Sequence, residues 1–344
     1  MKAIQLLGAN KLRLAEVPIP QIGDNEALLK VRAASICGTD VRMYKNGYKN
    51  VTEENPLILG HEFAGKIVQV GKNVTALKVG QKVAVAPNIG CGTCDLCVSG
   101  QTHLCGTYDA FGITIDGGFA EYVRIPENAI RQGNIAPLDE AISYAEAALV
   151  EPLSCVYNGQ ELIGVRPGDD VLIIGMGPIG IMHIMVAKLL GAGKIFVNDL
   201  SEERVAKAKE LFPDVYPILG DVKEALAAYG QKGVDLCIIA APAAEAQAQS
   251  VHYMNMNGRL LFFGGLPDHK KVVPIDTNVL HYKQLRIQGC TKQSVGTYRL
   301  CAKLVDDKRI PLEKIMSDTY AIEDFQQAMD QAAAAKGLKH VITF

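Results

Sequence analysis

The stretch Val171-Leu172-Ile173-Ile174-Gly175-Met176-Gly177-Pro178-Ile179-Gly180 decides the fold. Four apolar residues of strand length run into a G-x-G-x-x-G turn, and the apolar run resumes at helical period from about Ile179 to Leu190. A lone G-x-G-x-x-G is weak evidence, but here a strand precedes it, a helix follows it, and an acid, Asp199, ends the next strand-like run. That is the context a dinucleotide-binding turn requires. The glycines permit a tight turn and close approach of backbone to pyrophosphate, whose charge meets the open amides of the helix start. A carboxylate at Asp199 accepts hydrogen bonds from ribose hydroxyls and repels a 2′-phosphate, which favours NAD over NADP; Arg204 nearby leaves some room for the other cofactor. The competing reading is that the glycines serve only helix-strand packing and that Asp199 is a helix cap. Gly175, Gly177, Pro178, Ile179, Gly180, Asp199, Arg204 and Gly264, the last just past the fourth strand, form the expected cofactor-binding set.

Outward from the turn, the pattern of strand, glycine turn and helix repeats. Asp170 to Ile174, Lys194 to Asn198, Val234 to Ile239 and Arg259 to Phe263 read as strands, with Glu202 to Phe212 and Ala243 to Met254 as helices between them. This is a βαβ series and predicts a doubly wound parallel sheet. Residues 1 to about 150 differ: short Val/Ile/Leu runs such as Ala27 to Val31, Lys66 to Val70 and Lys82 to Val85 are broken by Gly, Pro and Asn. Such spacing predicts a mostly antiparallel β domain with few helices. A helix-rich tail after Gly289 ends in the strand-like His340 to Phe344.

Composition bounds the function. With 344 residues, 49% hydrophobic and 21% charged, the chain has the material for two ordinary domains. Lys plus Arg number 35 against 37 for Asp plus Glu, so no basic excess exists to hold nucleic acid. The amino terminus lacks the apolar run of a signal peptide, and the apolar stretch from Val171 onward is interrupted by glycines, Pro178, His183 and Lys188. A cytoplasmic protein without a membrane partner is expected.

Two cysteine-containing groups carry chemistry. Cys91, Cys94, Cys97 and Cys105 form a C-x2-C-x2-C-x7-C cluster able to wrap one tetrahedral zinc with four thiolates. A shell filled by protein has no position for substrate, so this ion is structural. Rival readings are a disulfide framework, disfavoured in a reducing compartment, and an iron-sulfur cluster; His103 inside the loop is read as a bystander. The second group is Cys37 in Cys37-Gly38-Thr39-Asp40 with His61 and Glu62 in Gly60-His61-Glu62. One thiolate, one imidazole and one carboxylate hold a catalytic zinc and leave the fourth position open. Glu151, in Val150-Glu151-Pro152, is either a ligand itself or a hydrogen-bond partner of zinc-bound water while Glu62 ligates; the sequence leaves both open. Singly, Cys37 reads as a buried thiol and His61 as a core histidine. Cys155, Cys237, Cys290 and Cys301 read as packing residues.

Taken together, these motifs, with Asp116-Gly117-Gly118-Phe119-Ala120-Glu121-Tyr122 and Glu151-Pro152, make the chain resemble the zinc-dependent medium-chain dehydrogenases over essentially its whole length, and within them the polyol branch. The resemblance implies a GroES-like catalytic domain at residues 1–153, a Rossmann cofactor domain at 154–289 and a segment 290–344 that completes the first domain. It implies two zinc ions per chain, NAD as hydride acceptor, a small alcohol as substrate in the cleft between the domains, and a homodimer or homotetramer. Zinc would act as a Lewis acid on the alcohol oxygen, and Thr39 looks like the family's hydroxyl beside zinc. Many relatives carry histidine three residues after that hydroxyl; here it is Arg42, which cannot accept a proton. Arg42 with Lys45 suits an anionic substrate such as a polyol phosphate, and Lys292 adds a second charge where polyol relatives often have arginine. The bland alternative for Arg42 is a solvated surface side chain. Tyr44, Phe111 and Tyr298 are candidate pocket aromatics or ordinary packing. A threonine-type amino alcohol dehydrogenase and a catalytically silent NAD-binding protein are the alternative functions.

Overall fold

In the computed structural model, which describes all 344 residues, the chain divides into two compact units, one formed by Met1–Ser154 with Gln293–Phe344 and the other by Cys155–Lys292. The first is β-rich; the second is built on a single six-stranded sheet.

In the first unit the strand Ala27–Ser35 organises everything else. Its burial is nearly continuous along Ala27-Leu28-Leu29-Lys30-Val31-Arg32-Ala33-Ala34-Ser35, as expected for a strand covered on both faces. It pairs antiparallel with Glu62–Val70 on one side. On the other it is shared: Ala27 to Lys30 pair with Tyr122–Ile125, and Ala33 to Ser35 pair with the C-terminal strand Lys339–Thr343. The carboxyl end of the chain is thereby woven into the centre of the amino-terminal sheet. Around it, Phe63 meets Phe111 edge-on at 5.5 Å and Phe119 meets Phe325 at 4.7 Å. Gly60 sits at φ +96°, where a Cβ would come within 2.8 Å of Phe119, so only glycine lets the chain turn tightly into His61 and Glu62.

Helices are more frequent in the first half than its sequence suggests. Gly38–Asn46, Asp95–Val98, Glu127–Gln132 and Tyr144–Ala148 are all short, and Val150–Ile163 follows. The stretch Thr39 to Tyr44 is helical because Asp40 accepts a hydrogen bond from the Cys37 amide at 2.8 Å and closes the first turn, while Gly47 ends it.

The second unit holds a six-stranded parallel sheet in the order Tyr216–Ile218, Ile195–Asn198, Val171–Ile174, Val234–Ile239, Met254–Phe262, Arg286–Gly289. Every pairing is parallel, and the order reverses beside Val171–Ile174, the doubly wound arrangement of a dinucleotide-binding sheet. Two neighbouring boundaries depart from the sequence reading, the end of one helix and the start of the strand expected at Arg259. The helix expected over Ala243 to Met254 covers only Ala244–Ser250; Val251–Tyr253 form a 3₁₀ turn and Met254 already begins a strand. The β-branched and aromatic pair Val251 and Tyr253, both packed into the core, favours that earlier exit.

Candidate metal and cofactor sites

The four-cysteine lobe closes on itself. The Sγ atoms of Cys91, Cys94, Cys97 and Cys105 all lie within 4.8 Å of one another, and no pair is disulfide-bonded. Cys91 to Cys97 is 3.9 Å and Cys94 to Cys105 is 3.8 Å. At about 2.3 Å per zinc-thiolate bond, a tetrahedron has edges of roughly 3.8 Å, so the lobe already has the dimensions of the site. Backbone amides support it: Cys94 N donates to Cys91 Sγ at 3.3 Å and Cys91 N to Cys105 Sγ at 3.4 Å. Hydrogen bonds from Thr93 above all bring the Cys91 thiol down to about 5, which favours the thiolate a metal needs. Gly90 is required because a Cβ there would fall 2.5 Å from Cys97 Sγ. His103 is buried in the neighbouring 3₁₀ turn and lies outside the ligand group.

Cys37, His61 and Glu62 form the second group, again with ligand atoms within 4.8 Å. Cys37 precedes the helix Gly38–Asn46, and Glu62 opens the strand paired with Ala27–Ser35, in register with Ser35. Glu62 is fully buried; its Oε2 is ion-paired to Lys339, itself buried on the C-terminal strand, and its Oε1 has no hydrogen-bond partner. His61 Nδ1 faces Asp40 Oδ1 at 3.5 Å. Burial opposes a charge on His61, yet Asp40 and Cys37 outweigh it and raise its pKa well above the ordinary value. The cluster is electronegative, as a cation site must be. Three dissimilar donors with one unsatisfied carboxylate oxygen fit zinc with an open position.

Glu151 lies outside that three-residue group. It is the second residue of the helix Val150–Ile163, buried, and its Oε1 accepts a hydrogen bond from Gln293 Nε2 at 3.2 Å. The geometry therefore groups Glu62, and not Glu151, with Cys37 and His61.

Of the expected substrate residues, Arg42 stands next to Thr39, Nη2 to Oγ1 at 3.5 Å, on the exposed side of the helix. Lys45 is not brought there: its Nζ donates to Ala333 O, at the carboxyl end of Phe325–Ala333, where a cation is favoured by the helix dipole. Lys292 belongs to the second unit, has φ +54°, and its carbonyl accepts from Asn158 at 3.0 Å. Phe111 and Tyr298 are wholly buried and Tyr44 packs on the core, so these aromatics are packing.

In the second unit the glycines of the turn have different roles. A Cβ on Gly180 would lie 1.8 Å from Gly175 O, and Gly175 has φ +102°: both serve the tight turn and helix packing. Gly177 meets nothing within 4 Å and caps the helix Pro178–Leu189 with no side-chain partner. It leaves the first-turn amides open, as a pyrophosphate site requires. Asp199 braces the turn, its Oδ2 accepting from Met176 N at 2.6 Å and its Oδ1 from Ser201 N at 2.9 Å, with Arg204 3.9 Å away. Each carboxylate oxygen keeps a second acceptor position for a ribose hydroxyl. Gly264 is a close-packing position, where a Cβ would come within 2.6 Å of Ala241 O.

Residues 23–134 match the model of the alcohol dehydrogenase GroES-like domain and residues 178–307 that of the zinc-binding dehydrogenase. The chain is 31% identical over 341 residues to sorbitol dehydrogenase of Bacillus subtilis (strain 168), covering 98% of this chain and 94% of that one. It belongs to the zinc-dependent medium-chain dehydrogenase family. To L-threonine 3-dehydrogenase of Bacillus velezensis the dehydrogenase is 34% identical over 325 residues, 92% of this chain and 91% of the other. A solved structure described as a zinc-binding dehydrogenase, from Sinorhizobium meliloti 1021 and bound to NADP, matches with a TM-score of 0.90 at 30% identity, covering 100% and 99% of the two chains.

Three residues of this dehydrogenase's metal neighbourhood escaped the sequence reading as site residues: Asp40, Lys339 and Gln293. Asp40 carried a signal, an acid three residues after Cys37 at the start of a helix. Lys339 and Gln293 carried none, since each reaches its carboxylate from a distant segment. No helix is long and apolar enough to cross a membrane.

Proposed function

We propose that the chain oxidises a secondary hydroxyl of a polyol, or of a polyol phosphate, to the ketone, with NAD accepting the hydride. The observation that carries this is the open cluster: Cys37, His61 and Glu62 within ligand distance, with Glu62 Oε1 unsatisfied. On this reading they hold one zinc while Cys91, Cys94, Cys97 and Cys105 hold the other. Zinc bound at the open cluster supplies Lewis acidity that lowers the alcohol's pKa toward neutrality. The remaining roles fall to the protein. Thr39, in the first turn after Cys37, offers its hydroxyl to the substrate oxygen. Arg42, beside it, can only donate, so the proton departs through water or Glu151, and the guanidinium is available to a substrate phosphate. Lys45, tied to Ala333, has no part in that pocket on this reading, and Lys292 remains a candidate cation.

In the unit Cys155–Lys292 the open amides after Gly177, with Pro178 and Ile179, receive the dinucleotide, and Asp199 disfavours the 2′-phosphate of NADP. The first unit is the catalytic domain, completed by the C-terminal segment. A homodimer or homotetramer forms through the edge strand Arg286–Gly289, and the protein works in the cytoplasm, where its nine cysteines, none of them in a disulfide, stay reduced.

A threonine-type activity is the second reading, favoured by the 34% identity to a threonine dehydrogenase. The test follows reduced cofactor formation by zinc-replete protein on free polyols, polyol phosphates and threonine, with NAD and with NADP. Turnover of polyols with NAD is the expected result. Turnover of threonine alone, or with NADP alone, overturns it.

A further inference from the structure

Gln293 is almost completely buried and stands between two fixed points. Before it, Lys292 is held in the left-handed region with its carbonyl bound by Asn158 Nδ2 at 3.0 Å. After it, Ser294 caps the helix Val295–Asp306, its Oγ accepting from Thr297 N at 3.0 Å. A side chain leaving a backbone so constrained has little freedom, and its amide is delivered to Glu151 Oε1 at 3.2 Å. Glu151 is within electrostatic range of Lys339, the partner of Glu62, yet is not grouped with the three ligand candidates. A cation at that cluster attracts every nearby carboxylate. Glu151 entering as a fourth donor would close the shell, as the four cysteines close the lobe, and would leave no position for an alcohol.

We propose that Gln293 is a positioning residue that holds the Glu151 carboxylate beside the metal site instead of in it, keeping the fourth coordination position open. The inference rests on the reading of Cys37, His61 and Glu62 as the catalytic zinc site. An uncharged amide suits this role, because it donates to a carboxylate without binding the metal or neutralising the charge that attracts it. Glu151 then stays available to accept a hydrogen bond from the substrate.

The experiment measures zinc release from zinc-loaded protein into a chromophoric chelator, which separates a lobe phase from an open-site phase, together with kcat and KM for the alcohol. Gln293→Leu is expected to slow release from the open site and to lower kcat/KM for the alcohol about 10–100-fold, the usual size of such an effect. Release from the lobe and the KM for NAD should not move. Adding Glu151→Gln to Gln293→Leu should return open-site release to the rate of Glu151→Gln alone. Gln293→Met, close in size and without a donor, should act in the same direction should the leucine variant fail to fold. Open-site zinc leaving either variant at the parent rate or faster overturns the proposal. A parent protein that binds only one zinc per chain removes the catalytic-zinc reading itself, a different result from two zincs with an unmoved phase.

Discussion

The four-cysteine lobe and the Cys37/His61/Glu62 cluster lie in the same unit and each keeps its ligand atoms within 4.8 Å of one another, but they are assembled in opposite ways. The lobe draws its donors from one loop, and its thiolates are steadied by amides of that loop. Its four thiolates would fill the shell of one tetrahedral ion. The open cluster takes donors from two separated segments and then enlists Asp40, Lys339 and, through Glu151, Gln293. The closed site is held by neighbours in its own loop, whereas the open one is held by partners drawn from distant segments.

The largest effect should come from breaking the open cluster. Cys37→Ser is expected to reduce alcohol oxidation a thousandfold or more, since Lewis-acid stabilisation is worth several kcal/mol and each tenfold costs about 1.4. Metal analysis should find one zinc where the parent has two, with the melting temperature little changed. Retained activity would erase the distinction between the sites. Breaking the lobe should do the reverse. Cys97→Ser, at a buried thiol, removes a structural metal, a loss of about 4 kcal/mol. At roughly 2–4 °C per kcal/mol for a unit of this size, thermal unfolding should fall by about 8–16 °C. The kcat of the surviving folded fraction should stay within a few-fold of the parent, and a kcat that collapses with stability would make the lobe part of the chemistry.

The same contrast explains what was legible in the sequence. The lobe could be read from spacing because its ligands are neighbours in the chain, and the turn Gly175 to Gly180 because strand, turn and helix are contiguous. Cys37, His61 and Glu62 could be read as ligand types, but not the choice between Glu62 and Glu151. On the proposed reading that choice depends on Lys339 and Gln293, which lie 277 and 142 residues from the carboxylates they hold. No local pattern encodes such a pairing; for Lys339 it follows from the C-terminal strand returning to Ala27–Ser35. Lys45 misled for the same reason. It sits three residues from Arg42 on one helix, the spacing of neighbours on a face, yet its ammonium is drawn to Ala333, 288 residues away.

Lys339 offers a finer division between the sites. Its buried ammonium neutralises Glu62, so Lys339→Met leaves an uncompensated buried carboxylate, expected to cost about 3–5 kcal/mol in metal-free protein. Bound zinc supplies positive charge at the same carboxylate, so the cost should shrink in zinc-loaded protein. Urea unfolding with and without zinc measures both, and an equal cost in the two states would mean that Lys339 only packs. Zinc should leave the lobe of this variant at the parent rate.

The smallest effect concerns acid, which strips both sites as their ligands take up protons and so blurs the comparison unless the background is known. His183, in the second unit, supplies much of that background. Wholly buried against Phe263 and bound at Nδ1 by Gln160, it is pushed down to about 3 by burial. The unfolded chain takes up a proton at this residue near its ordinary 6.5, while the folded protein refuses it until about 3. Between those values the unfolded state binds more protons, so stability is complete above 6.5 and falls as the pH drops, by at most about 1.4 kcal/mol per pH unit. His183→Leu should flatten that slope between pH 6.5 and 5 in urea unfolding of metal-free protein. Whatever acid sensitivity zinc-loaded His183→Leu protein retains then belongs to the metal sites, and an unchanged slope would assign the background to other groups.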